Sequence, residues 1–162
     1  MPKRNKSNKQ KLNNKIKSNK TTLKSRVSVS NADVSNFHKE ITLQFFEMLL
    51  MIKLFHWKTH SYATHKATDE LYSTFNEHMD TFIEVLLGKT GDRIHLTNCK
   101  SVSLVDLTDQ SQLVKKINEF KEYLVGLTNE KALRPMSNTD LLNIRDEILG
   151  DMNKFLYLLT FK

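Results

Sequence analysis

Residues 65–87 read HKATDELYSTFNEHMDTFIEVLL and contain neither glycine nor proline. Most of these residues are good helix formers, so the stretch predicts a helix of about six turns. At 100° per residue, four charged or metal-binding side chains fall on one flank of that helix. They are His65, Asp69, Asp80 and Glu84. Tyr72 and Ile83 share this flank, so it is a packed surface whose charges need partners.

The four side chains form two pairs along the helix axis. Asp69 and Asp80 are eleven residues apart, about 16 Å along a helix, so one metal ion cannot contact both in one chain. Asp80 and Glu84 stand at i,i+4, where two like charges cost about 0.2–0.5 kcal/mol unless a cation lies between them. Two copies packed antiparallel around a two-fold axis bring the His65 end of one to the Glu84 end of the other. The alternative is two ordinary solvated i,i+4 pairs.

With the preceding His56-Trp57, the stretch resembles the mini-ferritins, the family of DNA-binding proteins from starved cells (Dps). In that family a His-Trp lies near the end of the first bundle helix and a His opens the second. Acidic residues then follow at spacings of 4, 11 and 4, as they do here. The resemblance is close over residues 55–88, and the chain is also similar to uncharacterised mini-ferritin-like proteins of large DNA viruses.

The resemblance implies an all-α, ferritin-like four-helix bundle with a non-haem iron site between subunits. One subunit is expected to contribute His56, His65 and Asp69, and its two-fold mate Asp80 and Glu84. The implied activity is oxidation of Fe(II), with peroxide as the preferred oxidant. The implied assembly is a homo-oligomer, which is at least a dimer and in the family is a twelve-subunit shell. Its implied role is to protect DNA under oxidative stress.

One departure from the family concerns the turn between the two site histidines. His56 and His65 are nine residues apart here, whereas the family usually has twelve. The alternative interpretation is therefore a mini-ferritin-derived structural protein of a nucleoid or virion, which binds DNA but has an inactive metal site. A third hypothesis is a helical adaptor whose basic tail docks on an acidic partner. His60, inside the turn, is expected to be solvent-exposed.

The first thirty residues hold ten Lys or Arg and no acidic residue, whereas the remainder carries 15 basic and 18 acidic residues. So polar a segment cannot bury enough surface to fold alone, which predicts a disordered tail over residues 1–31 and a bundle over 32–162. A lysine-rich segment without aromatic residues suits neutralisation of DNA phosphates, or of another polyanion, without base reading. The expected contacts are Lys3, Arg4, Lys6, Lys9, Lys11, Lys15, Lys17, Lys20, Lys24 and Arg26. A solubility tail, a nuclear-import signal and a compositional bias are the alternatives.

Apolar residues at helical spacing predict three further helices. The first runs from Ala32 to the His56-Trp57 pair, with Asp33 or Ser35 as its cap, and carries a second apolar stripe suited to a subunit interface. This stripe is Phe46, Leu50, Met51 and Leu54. The third starts at Thr108 or Ser111 and ends near Gly126. The fourth is opened by Ser137 and Asp140, which resemble a capping box.

Several classes of protein are excluded or disfavoured. A single cysteine, Cys99, excludes an internal disulfide framework and favours an intracellular location. The resemblance implies association with a nucleoid or a virion. The sequence contains no apolar run of about 20 residues that predicts a membrane span. It also contains no Glu-x-x-His motif, which disfavours a di-iron centre inside one bundle.

Overall fold

The computed structural model describes residues 29–161, which form four long helices and no β-strand. The helices are α1 (Asn31–Lys58), α2 (Tyr62–Thr90), α3 (Gln110–Gly126) and α4 (Thr139–Leu158). Two short 3₁₀ turns, Leu127–Asn129 and Lys131–Leu133, join α3 to α4. The predicted all-α four-helix bundle is confirmed. The basic contacts predicted between Lys3 and Arg26 lie outside the described residues.

The start of α1 corrects the predicted cap. Ser30 is the N-cap: its hydroxyl accepts a hydrogen bond from the Asp33 backbone N–H at 3.2 Å. In return, the Asp33 carboxylate accepts from the Ser30 backbone N–H at 2.9 Å. The prediction of Asp33 or Ser35 as the cap is therefore wrong, because Asp33 is the third residue of a capping box that begins earlier. Asp109 caps α3, between the two predicted start positions.

The capping box predicted at the start of α4 does not form. Asn138 precedes the helix and makes no side-chain cap hydrogen bond. Instead, the Lys89 ammonium at the end of α2 donates to Asp140 Oδ2 at 2.7 Å and to the Ser137 carbonyl at 2.6 Å. The Lys89 contact holds the pKa of the Asp140 carboxyl below its ordinary value. The Asp140 carboxylate, which the sequence pattern assigned to a local cap, is therefore engaged in an ion pair with Lys89 of another helix.

Four phenylalanines from three helices form the centre of the core. Phe45 of α1 packs edge-to-face against Phe75 and Phe82 of α2 and against Phe120 of α3, with ring centroids 5.4 to 6.2 Å apart. Such aromatic pairs stabilise a core beyond the area they bury. Because residues 56 and 45 of α1 lie beside residues 65 and 82 of α2, respectively, these two helices run antiparallel.

The connection from α2 to α3 spans residues 91–109 and has no regular secondary structure. The short extended or 3₁₀ piece predicted at residues 93–96 and the turn predicted at 102–107 are not regular elements. Gly91 ends α2 with a φ of +67°, a conformation that favours glycine. Leu107 is buried in the core, and Lys58 forms an ion pair with Asp106, which ties the connection to the end of α1. None of the described helices has the length and apolar character needed to cross a membrane.

Candidate metal site

A three-residue turn places the two predicted site histidines side by side. α1 ends at Lys58 and α2 begins at Tyr62. Ser61 caps α2 by accepting a hydrogen bond from the Thr64 backbone N–H at 3.2 Å. The helical hairpin is therefore closed tightly enough for His56, in the last turn of α1, to contact His65, in the first turn of α2.

The rings of His56 and His65 are stacked, with centroids 3.9 Å apart and planes 24° apart. Each Nδ1 lies 3.1 Å from the backbone carbonyl oxygen of the other residue. This reciprocal pairing favours the tautomer in which Nδ1–H donates to the carbonyl and Nε2 keeps its lone pair. Metal-binding histidines in proteins are typically held in this way, with one nitrogen anchored and the other free to bind.

Asp69 completes a three-residue cluster at this end of α2. Its Oδ1 lies 3.9 Å from His56 Nε2, and the His56 side chain is buried whereas that of Asp69 is half exposed. Thr68, which the sequence analysis did not single out, supports the cluster: its hydroxyl lies 3.3 Å from His56 Nδ1 and donates to the Thr64 carbonyl at 2.8 Å. The sequence offered one indication of this role, since Thr68 lies three residues after His65 and therefore on the neighbouring turn of the same helix face.

The stacking limits what the two histidines can do together. An imidazole binds a metal ion near its own ring plane, at about 2.1 Å from the nitrogen. Two nearly parallel rings 3.9 Å apart cannot both direct Nε2 at one ion unless one ring turns. As they stand, the two rings suit two neighbouring ions, or one ion and one bound water.

Asp80 and Glu84, the other two predicted site residues, lie at the far end of α2 and are exposed. Eleven residues of helix between Asp69 and Asp80 correspond to about 16 Å. Neither Asp80 nor Glu84 forms a side-chain hydrogen bond or ion pair with any residue of the part of the chain that the structure describes. Within residues 29–161 of one chain, no group of three or more His, Cys, Asp or Glu is arranged to hold a metal ion.

The opposite flank of α2 faces α4, and its charges are paired. His78 lies between Glu147 and Asp151, with nitrogen to oxygen distances of 3.5 and 3.2 Å. Lys154 Nζ donates to Glu70 Oε1 at 2.6 Å, and this contact raises the pKa of the lysine.

A second buried histidine, His38, was not among the predicted site residues. Neither ring nitrogen has a hydrogen-bond partner within the described residues. Burial lowers the pKa of His38, and the nearby Asp92 carboxylate opposes that shift. His38 is therefore a neutral core residue, far along α1 from His56. His60 and His95 are exposed, as predicted.

An apolar row runs along the exposed side of α1, beside the flank that carries the site residues. Phe46, Leu50 and Trp57 are 37%, 38% and 68% exposed, respectively. Lys53, in the same row, places its ammonium 4.5 Å from the ring centroid of Tyr72 on α2. Met51 was predicted to belong to this row, but it is 2% exposed and packs in the core. The assignment is wrong because residue 51 lies more than 100° around α1 from Trp57.

Comparison with known proteins identifies a family for this chain. No curated protein and no solved structure matches the chain. One family model matches residues 56–159, a range that starts at His56 and includes all five predicted site residues. The resemblance to mini-ferritins therefore stays a prediction, and the chain belongs to a family of unknown function (DUF5856).

Proposed function

We propose that this protein binds and oxidises Fe(II) in the manner of a mini-ferritin, at a site shared by two copies of the chain. The copies pack α2 against α2 in antiparallel orientation around a two-fold axis. The observation that carries the proposal is the division of the predicted ligands: His56, His65 and Asp69 are clustered at one end of α2, and Asp80 and Glu84 are unpaired among the described residues at the other.

The spacing of the helix residues supports a two-fold arrangement. Positions 65, 69, 80 and 84 are separated by 4, 11 and 4 residues, so the order of spacings is the same in both directions along α2. A single axis between residues 74 and 75 then places His65 opposite Glu84 of the second copy and Asp69 opposite its Asp80. An isologous interface of this kind produces two identical sites per dimer.

The charges brought together at such a site require a cation. Asp69 of one copy meets Asp80 and Glu84 of the other, and closely spaced carboxylates cannot all remain ionised without positive charge between them. The lone pairs that the Nδ1 contacts leave on the two Nε2 atoms add nitrogen donors. A mixed set of imidazole and carboxylate donors suits Fe(II), and carboxylate oxygens retain the ion after oxidation to Fe(III).

Iron is here the substrate and the cargo. In the proposed reaction, two Fe(II) ions each give up one electron to one molecule of hydrogen peroxide. The peroxide O–O bond breaks, and with two protons the two oxygens leave as two molecules of water. The His56 ring, buried and anchored through Nδ1, is the residue best suited to position an ion, since its Nε2 faces the Asp69 carboxylate.

DNA binding is assigned to the N-terminal basic segment, with ten Lys or Arg in its first 30 residues. Each phosphate neutralised by such a residue releases condensed counterions, so we expect affinity to fall steeply as salt rises. Replacing Lys3 and Lys6 with glutamine should flatten that salt dependence and leave iron oxidation unchanged. Replacing Lys115 and Lys121 of α3 with glutamine is the matched control for a loss of charge on the body.

The experiment that tests the iron site uses the full chain. Its mass in solution is measured with and without Fe(II), and Fe(III) absorbance is followed after peroxide is added. The expected results are at least twice the mass of one chain and peroxide-dependent oxidation, which is lost in Asp80→Ala with Glu84→Ala. Glu77→Ala, which removes another exposed acid of α2, is the control and should oxidise iron normally. A chain that stays monomeric under all conditions contradicts the proposal.

A second candidate function follows from the stacked histidine rings. If the rings keep this arrangement, both imidazoles cannot bind the same ion. The protein would then be a DNA-binding structural protein of a nucleoid or virion that no longer oxidises iron. This candidate predicts the same dimer and the same salt-dependent DNA binding. It differs in predicting no iron oxidation above that of the Asp80→Ala, Glu84→Ala variant.

A further inference from the structure

An apolar groove opens beside Asp80, at the end of α2 opposite His65. Its volume is about 290 Å³, and it lies between α1, α2 and the connection that follows α2. Its apolar wall residues are Phe46, Met79, Ile83, Ile94 and Leu96, and Asp80 also lines it. A cavity of about 150 Å³ accommodates benzene, so this groove has room for a large aromatic side chain.

Trp57 is the single tryptophan of the chain and is 68% exposed. It lies eleven residues after Phe46 on α1, which is three helical turns plus about 20°, so the two side chains share one face. Trp57 and the groove are therefore at opposite ends of the same surface, about 16 Å apart along the helix. A tryptophan this exposed, on a face that also exposes Phe46 and Leu50, leaves a large apolar area in contact with water.

The spacing on α1 matches the spacing on α2. Phe46 and Trp57 are separated by eleven residues, as are Asp69 and Asp80, and α1 and α2 run antiparallel side by side. His56 lies level with His65 and Phe45 with Phe82, so Trp57 and Phe46 lie near the levels of residues 64 and 81 of α2. The midpoint of those two levels is within about 3 Å of the axis between residues 74 and 75. The two-fold axis that places Asp69 of one copy opposite Asp80 of the other therefore also brings Trp57 of one copy close to the groove of the other. Both pairings are satisfied by one rotation.

The charges along this surface also distinguish the two orientations. The Lys53 ammonium lies 5.8 Å from the Trp57 ring centroid, so a cation accompanies the tryptophan. The groove end carries the Asp80 carboxylate, which has no partner among the described residues, one helical turn before Glu84. The parallel orientation would place these two acids of one copy against the same two acids of the other. The antiparallel orientation brings them to the end that holds Asp69 together with the two site histidines and Lys53, where cationic or metal-binding groups are present.

We propose that Trp57 of one copy inserts into the apolar groove beside Asp80 of a second copy, so that each dimer is held by two such contacts. This inference rests on the proposed two-fold dimer and identifies the residue that anchors it. Tryptophan in a desolvated pocket is typical of the few residues that dominate interface energies. The same contact also fixes the position of His56, the residue that precedes Trp57.

The test uses iron-free full-length protein over a range of concentrations. Mass is measured by sedimentation, and the emission of Trp57 and its quenching by acrylamide are recorded in the same samples. The inference predicts that Trp57 emission shifts to the blue and becomes protected from quenching as the dimer forms. Trp57→Ala should weaken dimerisation at least about 10-fold. Tyr157→Ala, which removes an aromatic residue that is 62% exposed elsewhere, should not weaken it.

A variant in the groove tests the same contact from the other side. Leu96→Asp should weaken the dimer and leave Trp57 as accessible to acrylamide as it is in the monomer. A dimer of normal affinity in which Trp57 stays accessible, or a Trp57→Ala variant that dimerises normally, overturns the inference and leaves the shared iron site standing. Absence of any dimer in the iron-free protein overturns the inference, and the shared iron site is overturned as well only if the chain also stays monomeric with Fe(II). Protection of Trp57 at monomer mass means that the same chain covers it, which also overturns the inference.

Discussion

The two flanks of α2 use the same residue types in opposite ways. On the flank that faces α4, His78 lies between two carboxylates, and Glu70 is paired with Lys154. On the flank beside the exposed row of α1, two histidines are stacked at one end, and Asp80 and Glu84 have no partner among residues 29–161 at the other. The charged or titratable side chains of the first flank lie 2.6–3.5 Å from partners on α4, and the two acids of the second flank have no partner in the described part of the chain.

This difference separates charges that are paired within the chain from those that the proposed function assigns to a metal site. Paired charges across a helix interface add modestly to stability and specify how two helices align. Asp80 and Glu84 are exposed and carry little desolvation cost, but two like charges at i,i+4 cost about 0.2–0.5 kcal/mol unless a cation lies between them. The division of histidines and acids between the two ends of the same flank favours a second copy of the chain.

The largest expected effect comes from neutralising each flank in turn. Asp80→Asn with Glu84→Gln should lower the rate of iron oxidation by about 100-fold or more, since even outer-shell partners of metal ligands are worth about 10–100-fold. It should raise the free energy of unfolding by no more than about 0.5 kcal/mol, because it removes one like-charge pair. Glu147→Gln with Asp151→Asn should do the reverse, lowering that free energy by about 0.5–1 kcal/mol without slowing oxidation. Stopped-flow absorbance measures the oxidation rate, and urea unfolding measures the stability. If both double variants lose oxidation to the same extent, the two flanks do not differ in function.

An intermediate effect concerns acid stability of the paired side. Lys89 holds the pKa of the Asp140 carboxyl below its ordinary value of 3.8, so the unfolded chain binds the proton more tightly than the folded one. The stabilisation is therefore present above pH 3.8 and lost as pH falls through the folded-state pKa. Asp140→Asn should be less stable than the wild type at pH 7 and equally stable near pH 2, as measured by urea unfolding. A constant difference across this range contradicts the assignment.

The smallest expected effect is a gain. Glu84→Gln removes one of two like charges at i,i+4 on an exposed helix surface, and it should raise the free energy of unfolding of the iron-free monomer by about 0.2–0.5 kcal/mol. Glu47→Gln is the control, because it removes an acid of α1 that has no charged neighbour at i±3 or i±4. A loss of stability in Glu84→Gln means that the carboxylate has a partner in the chain.

Sequence periodicity was sufficient to predict four helices, and α2 was predicted from 65 to 87 against the observed Tyr62–Thr90. Helix caps were predicted less well, because capping competes with tertiary contacts: Lys89 binds the Asp140 carboxylate that the pattern assigned to a local box. The proximity of His56 and His65 was expected from the resemblance to mini-ferritins. Their stacking and their Nδ1 contacts could not be predicted, since they depend on the conformation of the three-residue turn.

The apolar row of α1 illustrates a related limit. Hydrophobicity alone assigned Met51 to the exposed stripe, whereas rotation around the helix places it in the core and leaves Trp57 outside. The groove beside Asp80 was not predictable, because residues of an irregular connection, Ile94 and Leu96, form part of its wall.

Subunit complementation tests the shared site most directly. One variant carries His56→Ala and His65→Ala, the other carries Asp80→Ala and Glu84→Ala, and the two are mixed under conditions in which native mass spectrometry shows that they exchange. Each mixed dimer then has one intact site and one site with both halves altered. We expect each variant alone to be inactive and an equal mixture to recover about a quarter of the wild-type rate of iron oxidation. A mixture that forms mixed dimers but recovers no activity contradicts a site built from two chains.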